Sequence, residues 1–420
     1  MTSLKNALNR NCPGVTQIWV AKGIYKPTSN TNRDSSFTLK NNIAIYGGFA
    51  GTETLLSQRN WRTNPTILSG DIGIVSNYSD NSYNVIRNEN NGLNNTAVLN
   101  GFTITGGNAN KGDYTGNRGG GVHNSNSAPT FYNCIISGNN AQEYGGGMFN
   151  EASAPSVANC IFSSNTALYG GGLYNESAAT KTINCSFSGN QVVVTGGAVY
   201  TYGAVTPQIT NSILWGNSSG IQNAGGATPA VTYSIVQGGY AGVGNLNTDP
   251  FFIMQPAVGL ASAADLRLQG CSPAMNVAST AALPAGLASD LAALPRIVNS
   301  IIDMGAYERQ TPASSTTLYV DVAATGNNSG ETWANAYTSF NSALNELNYC
   351  APGTTILIAA GLYTAPINST FDFNKLNVTI LGGYPNGGGT RNSLLYKVFL
   401  KGNVRALKSL QMDGITVQKP

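Results

Sequence analysis

Between residues 96 and 245 apolar side chains come in strand-sized segments punctuated by Gly and Asn, and no stretch of 10–12 residues keeps helical apolar spacing without a Gly break. The punctuation is periodic. Gly-rich runs begin at Gly119, Gly145, Gly170 and Gly196, with steps of 26, 25 and 26 residues. A second marker, Asn133-Cys134, Asn159-Cys160, Asn184-Cys185 and Asn211-Ser212, keeps the same beat with steps of 26, 25 and 27. A third closes each unit: Ile136 to Asn139, Phe162 to Asn165, Phe187 to Asn190 and Leu214 to Asn217. A weaker fifth unit follows at Ser234 to Gly239, and an earlier one spans Gly101 to Asn108.

Three markers in phase over four units define an internal repeat. No L-x-x-L-x-L framework is present, so the period does not fit leucine-rich repeats. Two or three short strands with their turns fill 22–27 residues, so each unit reads as one coil of an all-β parallel β-helix. Coils stack ~4.8 Å apart, which turns equivalent positions into columns. Cys134, Cys160, Cys185, Ser212 and Ser234 make one column; Ile136, Phe162, Phe187, Leu214 and Val236 make another, two residues on. Equal parity puts both on one strand face, and the apolar second column places that face inward. Asn139, Asn165, Asn190 and Asn217 form a turn column, where Asn tolerates left-handed backbone and its amide can bond the Asn above and below.

The flanks are less regular. Leu4 to Asn9 reads as a short helix, Gln17 to Ala21 as a strand, with further strands near Phe37 to Leu39 and Ile43 to Tyr46. The organisation predicted is a cap with irregular first coils over 1–95, regular coils over 96–245, irregular closing coils over 246–310 and a linker over 311–317. A second, truncated module starts at 318–420. The last hundred residues echo the first: Ala343-Leu344-Asn345 repeats Ala7-Leu8-Asn9, Gly361-Leu362-Tyr363 repeats Gly23-Ile24-Tyr25, and Ile380 to Gly383 repeats Ile45 to Gly48. Asp413-Gly414-Ile415 likewise answers Asn100-Gly101-Phe102. The chain therefore reads as a window on a tandem array, an arrangement commoner in surface proteins than in enzymes.

Composition narrows the function. Charged residues are 10%, against about 25% in an ordinary soluble domain. Short polar side chains in turns must therefore solvate the surface. A net charge of +3 with no basic run argues against a nucleic-acid or anionic-membrane binder. An apolar content of 41% supports a packed core and not disorder. No uncharged apolar window is long enough for a membrane-spanning helix, so no direct membrane insertion is expected.

The Gly-Gly-[Gly/Ala]-aliphatic and [Phe/Ile/Leu]-x-x-Asn pairs, such as Gly145-Gly146-Gly147-Met148 with Phe162 to Asn165 and Gly196-Gly197-Ala198-Val199 with Leu214 to Asn217, resemble the repeats of polymorphic outer-membrane proteins. The segments Ile45 to Thr54 and Thr66 to Asp71 resemble secreted right-handed β-helix proteins common in Bacteroidetes. The stretch from Asp249-Pro250-Phe251 to Asp303 to Glu308 resembles their choice-of-anchor Q region. The resemblance implies a right-handed solenoid in an exported, outer-membrane-associated or otherwise extracellular protein, and it implies no single activity. Two departures stand out: Gly replaces Ala in three of the four Gly-Gly units, and no sorting or autotransporter domain lies in this chain.

Candidate chemistry is sparse. Glu151 and Glu176, 25 residues apart in one column, would lie ~5 Å apart on adjacent coils. That spacing suits a shared Ca²⁺ or a retaining-glycosidase pair, and equally two solvated surface carboxylates. Beside them run His123, Phe149, Tyr174 and Tyr200, with Tyr202 next in the glutamate column. On the exterior these rings would stack against sugars; turned inward they are core. His123 is the only His, which leaves no His-metal cluster and no spare-His triad. Cys134, Cys160 and Cys185 lack zinc spacing and read as free buried thiols. Arg118 and Lys181 do not align with the glutamate column. No cofactor is expected, and Ca²⁺ has no further support. The expectation is an adhesive module or structural spacer whose partners are glycans or other surface proteins; the alternative is a polysaccharide lyase, glycosidase or glycan-binding module.

Overall fold

The computed structural model describes residues 3–10, 14–113, 116–259, 265–270, 272–298, 300–310, 317–349, 355–365, 370–373, 378–406 and 410–419. Cys12, Cys271, Cys350 and linker residues 311–316 lie outside them. The chain divides into two compact units: Met1–Pro250 with Met254–Arg267 and Pro273–Gln310, and Phe251–Ile253 with Leu268–Ser272 and Thr311–Pro420.

The first unit is a right-handed parallel β-helix. One face is built from Gln17–Ala21, Ala44–Phe49, Val98–Asn100, Thr130–Tyr132, Ser156–Ala158, Lys181–Ile183, Gln208–Thr210 and Ala230–Thr232, each hydrogen-bonded in parallel to the next. A second face of eight strands runs beside it and includes Ile135–Ser137, Ile161–Ser163 and Ser186–Ser188. A third has six, among them Val122–Ser125, Met148–Glu151, Leu173–Glu176 and Val199–Tyr202. A short fourth sheet precedes the third and includes Thr166–Tyr169 and Gln191–Thr195. The register Thr130–Ser156–Lys181–Gln208–Ala230 is one coil per repeat unit. The helix over Leu4–Asn9 is capped by the Ser3 hydroxyl.

The columns stand as spacing placed them. Phe162 and Phe187 stack 4.6 Å apart and 1° from parallel inside the core. Cys134, Cys160 and Cys185 are buried free thiols in line. Each sulfur reaches the carbonyl two residues back, and Ser212 and Ser234 do the same with hydroxyls. The Cys134 and Ser212 amides donate to the next rung, Cys160 Sγ and Ser234 Oγ. Serine replaces cysteine without breaking that pattern. Asn139, Asn165, Asn190 and Asn217 form a ladder of amide bonds of 2.8–3.1 Å, buried at the first three and partly exposed at Asn217.

One detail differs. The asparagine column with left-handed backbone is Asn133, Asn159, Asn184 and Asn211, with φ of 51°, 51°, 49° and 55°, at the corner between the first two faces. The Asn139 column uses its amide for the ladder and not its backbone for a left-handed turn. A further ladder, Asn88–Asn124–Asn150–Asn175, lies inside the third face.

Residues 273–310 do not continue the stack. They run back along the left-handed corner as a strap: Asn159 donates to Ser289 O, Asn184 to Asp303 O and Asn211 to Ser279 O, while Trp61 Nε1 donates to Leu291 O. Within the strap Arg296 is fully buried beside Glu308, and its Nη2 donates to the carbonyls of Asp303 and Gly305.

The second unit carries the strands Thr317–Val320, Thr355–Ala359, Val378–Tyr384 and Leu410–Asp413 in one parallel sheet, with a helix over Phe340–Tyr349. Thr317, placed in the linker by composition, opens the first of these strands. Its details repeat the first unit: Tyr25 and Tyr363 each donate to the carbonyl four residues back at 3.0 Å. A Cβ on Gly47 would meet Gly101 O at 2.4 Å, and one on Gly382 would meet Gly414 O at 2.3 Å.

Candidate functional site

On the third face the side chains alternate. Val122, Met148, Leu173 and Val199 join the core, and the buried asparagine ladder shares their side of the strands. The intervening positions point outward. They carry His123, Phe149, Tyr174 and Tyr200 in one column, and Ser125, Glu151, Glu176 and Tyr202 in the next. Glu151 and Glu176 are register neighbours, as spacing required.

The aromatic column is neither core nor an open platform. A second layer of side chains covers it from outside. Gly119, Gly145 and Gly170 adopt φ of +65° to +66°, a left-handed turn that an L side chain strains to reach. The residue before each glycine, Arg118, Tyr144 or Tyr169, bridges in parallel to its neighbour. Tyr144 lies 4.7 Å from Tyr174 and 5.6 Å from Tyr169, centroid to centroid. Below, Tyr174 and Tyr200 stack at 5.0 Å and 3°. Phe149 is 0% exposed and Tyr174 5%, whereas Tyr202 is 47% exposed. This corrects the sugar-platform expectation for Phe149 and Tyr174: neither offers a ring face to a ligand. Tyr200 is half-buried, and Tyr202 alone of the four is open.

Arg118 corrects a second expectation. Column arithmetic kept it away from the glutamates, yet its Nη1 lies 3.0 Å from Glu176 Oε2 while its guanidinium sits 4.8 Å from the Tyr144 ring and 5.1 Å from that of Phe149. The chain reaches across two coils. Tyr144 and Tyr169 carry no signal within the strand columns, although each, like Arg118, directly precedes a Gly triplet; counting back one residue from the Gly marker finds them.

Electrostatically the cluster is largely closed. Burial pushes Glu176 up from the ordinary carboxylate range, against the opposing pull of Arg118. Glu151 accepts a 2.9 Å bond from the Ser125 hydroxyl. Burial, aided by the Arg87 charge, lowers His123 to about 4, so its ring is neutral at pH 7; its Nδ1 lies 3.4 Å from Arg118 O. Among the described residues no group of three or more His, Cys, Asp and Glu side chains is placed to hold a metal ion. The arrangement can clamp coils together, and at its edge a basic side chain meets one carboxylate, Glu176, the register neighbour of Glu151.

Residues 100–236 match the family model for a right handed beta helix region. The matched stretch holds all the in-phase Gly-Gly and Asn-Cys markers. Comparison with curated proteins and with solved structures gave no match. Among the described residues, no helix is long and apolar enough to cross a membrane.

Proposed function

We propose that this β-helix serves as a passive, rigid module of an exported surface protein, in adhesion or as a spacer, with glycans or other surface proteins as partners. The observation that carries the reading is the closure of the outer cluster. The Glu176 carboxylate is committed to Arg118, Glu151 to Ser125, and the rings to one another. Groups so engaged stiffen the stack and leave little to do chemistry with. Binding would then come from many weak contacts repeated along a rod, where each adds little alone. Resemblance to polymorphic outer-membrane repeats and to choice-of-anchor Q proteins supports the surface location.

A second reading, a carbohydrate-active enzyme, draws on one observation: Arg118 pairs with Glu176, which stands in register between Glu151 and the exposed Tyr202. A depolymerase screen against acidic and neutral polysaccharides, with a glycan array alongside, separates the two. The passive reading expects no chain cleavage by the wild type. Turnover that disappears in the Glu151→Gln/Glu176→Gln double variant would overturn it.

A further inference from the structure

A cleft of about 780 Å³ opens on the first face of the solenoid, a size within the roughly 300–1,000 Å³ of small-molecule sites. Its floor is the outer side of that face, with Tyr46, Asn100 and Tyr132. One wall is the loop that carries Arg59 and Trp61, and the other is the strap near Ser289. Among the described residues that line it, only Arg59 is charged.

The loop is built to hold its shape. Glu53 accepts bonds from the amides of Ala50, Gly51 and Thr52, and Gln58 Oε1 from those of Thr54 and Leu55. Arg59 lies between two rings, its guanidinium carbon 4.8 Å from the centroid of Tyr46 and 4.6 Å from that of Trp61. Its Nη1 donates to Gly47 O and Asn100 O, and its Nη2 to Asn100 Oδ1 at 2.9 Å. All three acceptors are neutral. Burial lowers Arg59 to about 10, which still leaves it protonated at neutral pH.

The second unit holds the same arginine with its charge answered. Asn60 N bonds Gly48 O at 2.7 Å, and Asn392 N bonds Gly383 O at 2.6 Å, which sets Arg391 in the place of Arg59. Arg391 Nε donates to Gly382 O, the counterpart of Gly47, and its Nη2 meets Asp413 Oδ2 at 2.6 Å. Asp413 stands where the first unit has Asn100. Ser393 stands where it has Trp61. The first unit has therefore exchanged a carboxylate for an amide and a hydroxyl for an indole, leaving an uncompensated cation among aromatic rings.

We propose that this cleft binds an acidic saccharide, the hexuronate carboxylate meeting Arg59 and the sugar C–H faces resting on the aromatic walls. The inference rests on the proposed function for its glycan partner and narrows that partner to one chemical class; its failure is read separately, as lost binding at the first face and not as chain cleavage at the Tyr–Glu cluster of the third.

Titration calorimetry with oligosaccharides of galacturonic, glucuronic, and mannuronic or guluronic acid tests it, each beside its carboxyl-reduced, neutral counterpart. The wild type should bind at least one acidic oligomer and lose about tenfold or more on its neutral counterpart, the scale of a charge-assisted hydrogen bond. Asn100→Asp, which copies the Arg391–Asp413 pairing, should lose as much. Ser57→Glu, on the exposed rim, supplies the same reading without touching Arg59's own bonds. Absence of binding to every acidic oligomer, equal binding of the neutral ones, or unaltered binding in these variants would overturn the proposal.

Discussion

Asp290 and Glu308 are buried side chains in the strap, and burial pushes both carboxyls up, to about 6 and about 8. Their amide partners, and Arg296 beside Glu308, only partly offset the loss of water. A carboxyl whose pKa is higher folded than unfolded keeps its proton where the unfolded chain gives it up. Its contribution to stability is complete below about pH 4 and falls as pH rises toward 8, levelling off above. The midpoint of thermal unfolding should therefore drop across that window. Glu308→Gln should flatten the upper part of the slope, at a uniform cost for the acceptor it removes; an unchanged slope would assign the window to other groups. Sequence reasoning could not see this pair, since 246–310 carries no period to place one residue against another. It did see the thiol column, because one inward position recurring every 25 or 26 residues has only one place to go in a stack, and Ser212 and Ser234 showed that the position requires small size and a short polar tip. The left-handed asparagines were misassigned between two columns for a physical reason: Asn serves both as a ladder amide and as a tolerant backbone, and composition does not tell the uses apart.

A coil is held by what its turns allow the next coil to do. The second glycine of each Gly run lies where the neighbouring coil's backbone passes closest. A Cβ on Gly146 would sit 2.3 Å from Thr166 O, a backbone atom that cannot swing aside. Gly146→Ala should cost about 3 kcal/mol or prevent folding, the scale of forced overpacking. Gly220, with no left-handed backbone and its nearest neighbour Gln237 O at 3.2 Å, should accept Ala within about 1 kcal/mol. Urea unfolding of the two variants checks the contrast, and equal losses would refute the role given to close approach. This explains why the Gly marker was the most legible feature of the chain. Backbone-to-backbone contact admits no other residue, so the signal survives where strands drift. The same marker hid the outer layer. Arg118 and Tyr144 make only isolated bridges and Tyr169 closes the strand Thr166–Tyr169, so none of the three lies on the strands whose columns the spacing aligns. Their covering of Phe149 and Tyr174 is what separates an apparent sugar platform from a closed stack.

At the scale of the whole first unit, repeat solenoids unfold from their ends because each coil touches only its neighbours. The strap departs from that rule by tying Trp61, Asn159, Asn184 and Asn211, residues spread over many coils, to one segment. Its own order depends on Arg296, whose Nη2 holds the carbonyls of Asp303 and Gly305 at 2.6 and 2.9 Å. Gly305 N in turn bonds Asn211 O at 2.7 Å, and Asp303 O receives the Asn184 amide. Arg296→Ala removes a fully buried cation whose charge acts on Asp290, Asp303 and Glu308, and breaking a buried charge pair costs about 3–5 kcal/mol. The loss should be local at first. Amides of the strap that bond the corner or brace its turns, at Ser279, Gly305 and Ala306, should exchange with solvent well before the ladder amides at Asn165 and Asn190. The wild type should release both sets together, if the strap and the coils unfold as one. Exchange in Arg296→Ala that rises equally at both sets would mean that the arginine supports the solenoid directly. No change at either would mean that the corner bonds hold the strap without it.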